Sequence, residues 1–176
     1  MTAARMTVGL VTPETGVTSD TYTGVVRAVR ARIDQQNASG GVDGHQIKLD
    51  VEDDTSTPAG NATATQELLS RNVLGIIQIS PFTFESAQTM QKAGVPVVGS
   101  GTDGPEWGEQ PNSNMFSLSA PSWDPKDPQY AVPLGIWRGV TSIGSFGYGQ
   151  SPASLVAGKG FAFSAKQAGL GRRASN

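Results

Sequence analysis

Along the first 120 residues the apolar positions switch repeatedly between two periods, and each switch marks a change of element. Met6 to Thr12 is a short apolar run broken by Pro13-Glu14-Thr15-Gly16, which predicts a buried strand ending in a turn. From Thr21 to Ser39, Val25, Val26, Val29 and Ile33 recur at helical spacing with Arg27, Arg30 and Arg32 between them, and Gly40-Gly41 supplies the stop. Ile47, Leu49 and Val51 then alternate with polar residues, as in a strand covered more on one face, and that strand ends at Asp53-Asp54. Thr57-Pro58 reads as a helix cap with proline at the first helical position, opening a helix to Arg71 with Ala62, Leu68 and Leu69 toward the core. Val73 to Ile79 is nearly continuous in apolar residues, which predicts a central parallel strand. A helix from Phe84 to Ala93 closes at Gly94. The strand Val95 to Gly99 follows, and Pro96 places it at an edge or at a strand start. A loop from Ser100 to Asn114 leads to a last strand at Met115 to Leu118.

Strands alternating with helices imply parallel crossover units, hence an α/β fold with a doubly wound parallel sheet in an α/β/α sandwich. Beyond Ala120 the pattern changes. Pro121, Pro125, Pro128 and Pro133 crowd a stretch that no regular element tolerates. The expected division is a first lobe over 1–120, a hinge over 121–139 and the start of a second unit over 140–176. That unit carries a weak strand near Val140 to Phe146 and a helix from Ala153 to Ala168, ended by Gly169. One strand and one helix make no sheet of their own, so this second lobe reads as truncated.

Composition narrows the function. Lys and Arg number 13 against 15 Asp and Glu, for a net charge of -2, and no basic cluster precedes Arg172-Arg173, which argues against a nucleic-acid partner. No run of eighteen apolar residues predicts a membrane span, and Met1 to Met6 lacks the apolar stretch of a signal peptide. With no Cys there is no disulfide, thiolate nucleophile or Cys-based metal site. The single histidine, His45, lies between a turn and a strand, which leaves no serine-histidine triad. Asp53-Asp54 is the one acidic pair at a strand end. Neighbours on a strand point to opposite faces, so the pair presents one carboxylate inward and makes a poor metal site. No metal, cofactor or catalytic residue is expected.

In an open parallel sheet, ligands bind outside the carboxyl ends of the strands. The loops there hold Thr12 to Asp20, Asp53 to Thr57, Ser80 to Thr83 and Ser100 to Gly104. Ser80-Pro81-Phe82-Thr83 feeds a helix N-terminus, where backbone N–H groups and the positive dipole end suit a carboxylate and Thr83 adds a hydroxyl. Ser100-Gly101-Thr102 offers hydroxyls and a closely approachable backbone. Together these loops suit a small ligand with a carboxylate and an amino group; the other reading is that Ser80 and Thr83 merely cap their helix. Phe82, Phe84 and Trp107 either line an apolar pocket or belong to ordinary packing. Gly99 to Gly104 matches the spacing G-x-G-x-x-G, but Pro105-Glu106-Trp107-Gly108 follows where that fingerprint needs a helix. The glycosylation sequons at Asn37 and Asn61 fall on expected helices.

The run Ile33 to Ile47, with Asn37, Gly40-Gly41-Val42 and Gly44, then Asp53-Asp54 and Pro58 before a helix ending in Leu68-Leu69, resembles the type 1 periplasmic binding proteins. The branch it most resembles is the branched-chain amino acid receptors of ABC transporters. Gly94 to Val98, Pro111-Asn112 before Phe116, and Tyr148-Gly149-Gln150-Ser151 continue the resemblance in the same order. It implies two lobes that close on a ligand. Ser80, Phe82, Thr83, Ser100, Gly101 and Thr102 would then hold the ligand's carboxylate and amino groups in the first lobe. Tyr148 would approach from the second lobe, and Ser19 to Tyr22 would border the cleft. It further implies a receptor outside the cytoplasm that delivers an amino acid or related small carboxylate to a membrane permease. The alternative with the same fold is the sensing domain of a signalling receptor or amide-responsive regulator.

Overall fold

The computed structural model describes residues 5–100, 104–108, 110–118, 143–149 and 151–170. The chain divides into two units, 1–120 and 121–176. The expected hinge over 121–139 lies outside the described residues, as do Gly101 and Thr102.

The first unit is a parallel sheet of five strands: β1 (Arg5–Thr12), β2 (Gln46–Asp53), β3 (Gly75–Gln78), β4 (Val97–Gly99) and β5 (Met115–Ser117), in the order β2-β1-β3-β4-β5. Three helices make the crossovers: α1 (Val25–Ala38), α2 (Pro58–Ser70) and α3 (Thr83–Ala93). The path turns one way from β1 to β2 and the other way from β2 through β3 to β4. Right-handed crossovers therefore put α1 on one face and α2 with α3 on the other. The main core lies on the α2–α3 face, where Val11, Ile76, Val97 and Met115 meet Ala64, Leu68, Ala87 and Met90. At Gly9 the strand lies close under α2, and a Cβ there would stand 2.6 Å from Leu68 Cδ1, so that side chain would have to shift. Burying Leu68 completely stabilises this packing by roughly 2 kcal/mol.

The helix boundaries follow local chemistry. Thr57 caps α2, its hydroxyl accepting from Gly60 N–H at 2.9 Å with Pro58 opening the helix. Gly94 ends α3 in the left-handed region at φ 66°. The apolar stripe of α1 is only half-buried, and a short 3-10 helix over Ser19–Tyr22 precedes it, so α1 starts later than its periodicity predicts. Pro96 sits immediately before β4, which is an interior strand between β3 and β5; of the two readings of that proline, the strand start is the one observed. Asn37 does more than sit on a helix. Its side chain accepts from Ile47 N–H and donates to Ile47 C=O, both at 2.8 Å, and so pairs the edge of β2.

In the second unit, α4 (Pro152–Gln167) is capped by Ser151, whose hydroxyl accepts from Ser154 N–H at 3.3 Å. Ile143 to Phe146 form no strand, which corrects the expectation there. An extended segment becomes a strand only when a neighbour pairs with it, and none of the described residues does.

Candidate functional site

The carboxyl ends of β1, β2 and β3 come together with the N-terminus of α3, and two adjacent carboxylates organise the loops there. Asp53 and Asp54 point to opposite sides, as their place at a strand end requires. Asp53 Oδ1 accepts from the N–H groups of Glu14 (2.9 Å), Thr15 (3.2 Å) and Thr55 (2.8 Å), and Oδ2 accepts from Thr15 Oγ1 at 2.5 Å. Partial burial alone would raise the Asp53 carboxyl. The hydrogen bonds from Thr15, Thr55 and Glu14 outweigh it and hold the group below the usual carboxylate range. Asp53 therefore staples the loop after β1 to the loop after β2. Ser56 adds a second staple, donating to Thr15 C=O at 2.7 Å and accepting from Thr18 Oγ1 at 2.8 Å. At Gly16, where φ is +88°, a Cβ would stand 2.5 Å from Thr55 C=O, so only glycine lets these loops approach.

Asp54 faces inward and is completely buried. Its Oδ1 accepts from Ser56 N–H at 2.9 Å; its Oδ2 accepts from Asn61 Nδ2 at 3.4 Å and from the Ser80 hydroxyl. Thr55 and Ser56 both occupy the left-handed region, at φ 53° and 57°, a conformation that costs non-glycine residues energy. Their N–H groups are the ones that the two aspartates bind, which offsets that cost. Burial pushes the Asp54 carboxyl up; the hydrogen bonds from Ser80, Ser56 and Asn61 oppose this, and the neighbouring charge of Asp53 adds to the rise.

The network continues inward. Asn61 Nδ2 donates to Gln78 Oε1 at 3.2 Å, Gln78 Nε2 donates to Thr65 Oγ1 at 3.0 Å, and Ser86 Oγ donates to Asn61 Oδ1 at 2.5 Å. All these side chains are buried, so each depends on its neighbours for partners that water cannot supply. At the end of β1, the buried Thr12 hydroxyl has no hydrogen-bond partner among the described residues.

Of the residues singled out from sequence, Ser80, Phe82 and Thr83 come together at the entry of α3, but all three are completely buried. Ser80 donates to Asp54 and accepts from Phe82 N–H at 3.1 Å, while Thr83 Oγ1 donates to Ser80 C=O at 3.0 Å. In this structure the Ser80 and Thr83 hydroxyls bond within the protein and the Phe82 ring is packed away from solvent. Their side chains build the loop from inside. Trp107 is likewise buried, packed where a Cβ on Gly99 would meet its Cη2 at 2.6 Å, and Phe84 is half-buried. Tyr22 ends the 3-10 helix of the β1–α1 loop and is half-buried, as is Ser100 after β4. Gly101 and Thr102 lie outside the described residues. Tyr148 belongs to the second unit and is partly exposed. The spacing Gly99 to Gly104 is followed by a short 3-10 helix at Pro105–Trp107, which is not the α-helix that a dinucleotide fingerprint needs. Among the described residues no group of three acidic or histidine side chains gathers to hold a metal, and no helix is long and apolar enough to cross a membrane.

Sequence reasoning missed Asn61, Thr65, Gln78 and Ser86. The one available signal was a glutamine inside the apolar run Val73 to Ile79, since a polar side chain in a central strand must find buried partners.

A family model described as periplasmic binding protein matches residues 5–172. A comparison with curated proteins found no match. Among solved structures, a possible leucine/isoleucine/valine-binding protein from Rhodopirellula baltica superposes with a TM-score of 0.75 at 19% identity, over 94% of this chain and 45% of the other. The branched-chain amino acid transporter substrate binding protein of Streptococcus pneumoniae, in complex with isoleucine, gives 0.58 at 24% identity over 73% of this chain and 38% of the other. A fatty acid ABC transporter substrate-binding protein from Thermomonospora curvata gives 0.71 at 20% identity over 97% and 43%. At these identities the likeness is one of fold, and the chain spans less than half the length of each.

Proposed function

Because the chain belongs to the periplasmic binding protein family, we propose that it acts as a solute receptor of an ABC transporter, working outside the cytoplasm and binding an amino acid or related small carboxylate. Periplasmic binding proteins are solute-binding proteins and carry out no turnover. In this reading residues 1–120 are the ligand-binding lobe, 121–139 the hinge and 140–176 the start of the second lobe. The ligand sits at the carboxyl edge of the sheet and passes to a membrane permease.

The observation that carries the proposal is the entry of α3. The 80–83 loop is held from inside by a buried network and leads into a helix N-terminus, whose backbone N–H groups and dipole favour a carboxylate. The Streptococcus protein was solved with isoleucine and the Thermomonospora protein is described as a fatty acid binder; both ligands are carboxylic acids. The backbone of Ser80 to Thr83 and of Ser100 to Thr102 would hold the carboxylate and amino groups, with Tyr22 at the rim.

A thermal melt of the chain with leucine, isoleucine, valine, a medium-chain fatty acid and the corresponding amides tests this. A ligand at a hundred times its dissociation constant adds about 2.7 kcal/mol, or roughly 5–10 °C at this size. Acids are expected to shift the melt and their neutral amides to do so far less. A cooperative melt that amides raise as much as acids would refute the carboxylate reading.

A further inference from the structure

The buried end of the polar network is a directional relay. Phe82 N–H donates to Ser80 Oγ at 3.1 Å, and Ser80 Oγ–H donates to Asp54 Oδ2. Phe82 is the residue before the first turn of α3, and its C=O accepts from Glu85 N–H at 3.1 Å, so the Phe82 peptide sets where that helix begins. The direction of the relay depends on one proton. With Asp54 ionised, Oδ2 accepts, the Ser80 proton points to it, and the serine lone pairs remain for Phe82 N–H. With a proton taken from water onto Oδ2, that oxygen becomes a donor toward Ser80 Oγ. The serine proton must then turn away, Oγ accepts from the carboxyl through its second lone pair, and the bond from Phe82 N–H is re-aimed and loses the charge-assisted partner that oriented the hydroxyl.

We propose that Asp54 is a positioning residue whose ionisation, relayed through the Ser80 hydroxyl, sets the Phe82 N–H and with it the first turn of α3. Asp54 is completely buried and its neighbours across the packing are uncharged: α2 presents Asn61, and the loop after β3 presents Ser80. The one charge bearing on it among the described residues is Asp53, adjacent in the chain, and no lysine, arginine or histidine offsets it. Burial raises the Asp54 carboxyl, which moves the switch above the ordinary aspartate value of about 3.9. The consequence for ligand affinity rests on the reading of the 80–83 loop given above; the relay itself does not.

The test is an NMR titration of the full chain from pH 4 to 8, following the Phe82 amide and the Asp54 carboxyl carbon, in the wild type and in Ser80→Ala and Ser80→Thr. The two signals are expected to move together with one midpoint above about 3.9. Ser80→Ala should abolish the Phe82 response while Asp54 still titrates, and Ser80→Thr, which keeps the hydroxyl, should restore it. A flat Phe82 amide beside a titrating Asp54, or an unchanged Phe82 response in Ser80→Ala, would overturn the relay. Isoleucine affinity measured on the same samples should fall as Asp54 takes up its proton. If no carboxylic acid binds at any pH while the linked titration is present, the receptor reading fails and the relay stands. If isoleucine binds and the linked titration is absent, the relay fails and the receptor reading stands.

Discussion

Replacing Asn61 by alanine should cost this fold far more than an average surface change, because one side chain serves three buried groups. Its Nδ2 bonds Gln78 Oε1 at 3.2 Å and Asp54 Oδ2 at 3.4 Å, and its Oδ1 accepts from Ser86 Oγ at 2.5 Å. On truncation, Gln78 Oε1 keeps only the 3.5 Å contact from Thr83 Oγ1, and Asp54 keeps Ser80 and Ser56. Ser86 can still donate to Asn61 C=O at 3.1 Å, so its loss is small. A buried amide oxygen left without a good partner costs about 1–3 kcal/mol, and a lost bond to a charged group about 1.5–3 kcal/mol. Because Asp54 retains two donors, we take the lower part of the second range and expect a total of roughly 3 kcal/mol. Urea unfolding measures it, with Thr63→Ala as the comparison. Thr63 is exposed and its hydroxyl only returns to Ala59 C=O, so that change should stay within about 0.5 kcal/mol. If Asn61→Ala unfolds within about 1 kcal/mol of the wild type at an unchanged denaturant slope, the network does not hold this edge of the sheet together.

Two further perturbations separate backbone fit from charge. Gly99→Ala would place its Cβ 2.0 Å from Gln78 C=O, a backbone atom of the β3–β4 ladder, and 2.6 Å from Trp107; a loss of about 3 kcal/mol or more in urea unfolding is expected, and a neutral result would contradict that packing. Asp53→Asn should remove an acid-labile contribution. A carboxyl held below its unfolded value stabilises above that value and loses its contribution as pH falls through the folded one, so wild-type stability should drop below about pH 3.9 and the variant's should drop less. Asp54, raised by burial, carries the opposite sign: it favours the fold in acid and ceases to do so as pH rises through its folded value. Urea midpoints at a series of pH values measure both limbs.

The sheet was largely legible because its signals are local. The runs at Met6 to Thr12 and Val73 to Ile79, the Thr57-Pro58 cap and the Gly94 stop act within a few residues, so periodicity and capping chemistry locate them. What stayed hidden depends on partners far along the chain. Asn61 meets Gln78 and Ser86 seventeen and twenty-five residues away, and Ser80 meets Asp54 twenty-six residues back. Nothing in a helical stretch such as Ala59 to Thr65 tells a buried asparagine from a solvated one. Candidate loops were recognisable from their place at the carboxyl ends of strands, a rule of topology. Which atoms each loop turns inward was not recognisable. Ser80 and Thr83 look like ligand hydroxyls in sequence, but in the fold those hydroxyls satisfy Asp54 and the Ser80 carbonyl. The stretch Val140 to Phe146 shows the converse, since its residues suit a strand but the described ones have no neighbour to pair with.

The central claim is that a small carboxylate is held at the carboxyl edge of the sheet by the backbone at the entry of α3. An amide-resolved NMR titration of the chain with isoleucine, beside isoleucine amide, tests it most directly. Saturable shifts concentrated in residues 80–86, 53–57 and 99–100, present for the acid and weak for the amide, are the expected result. Shifts scattered over the surface, or equal for acid and amide, would contradict it.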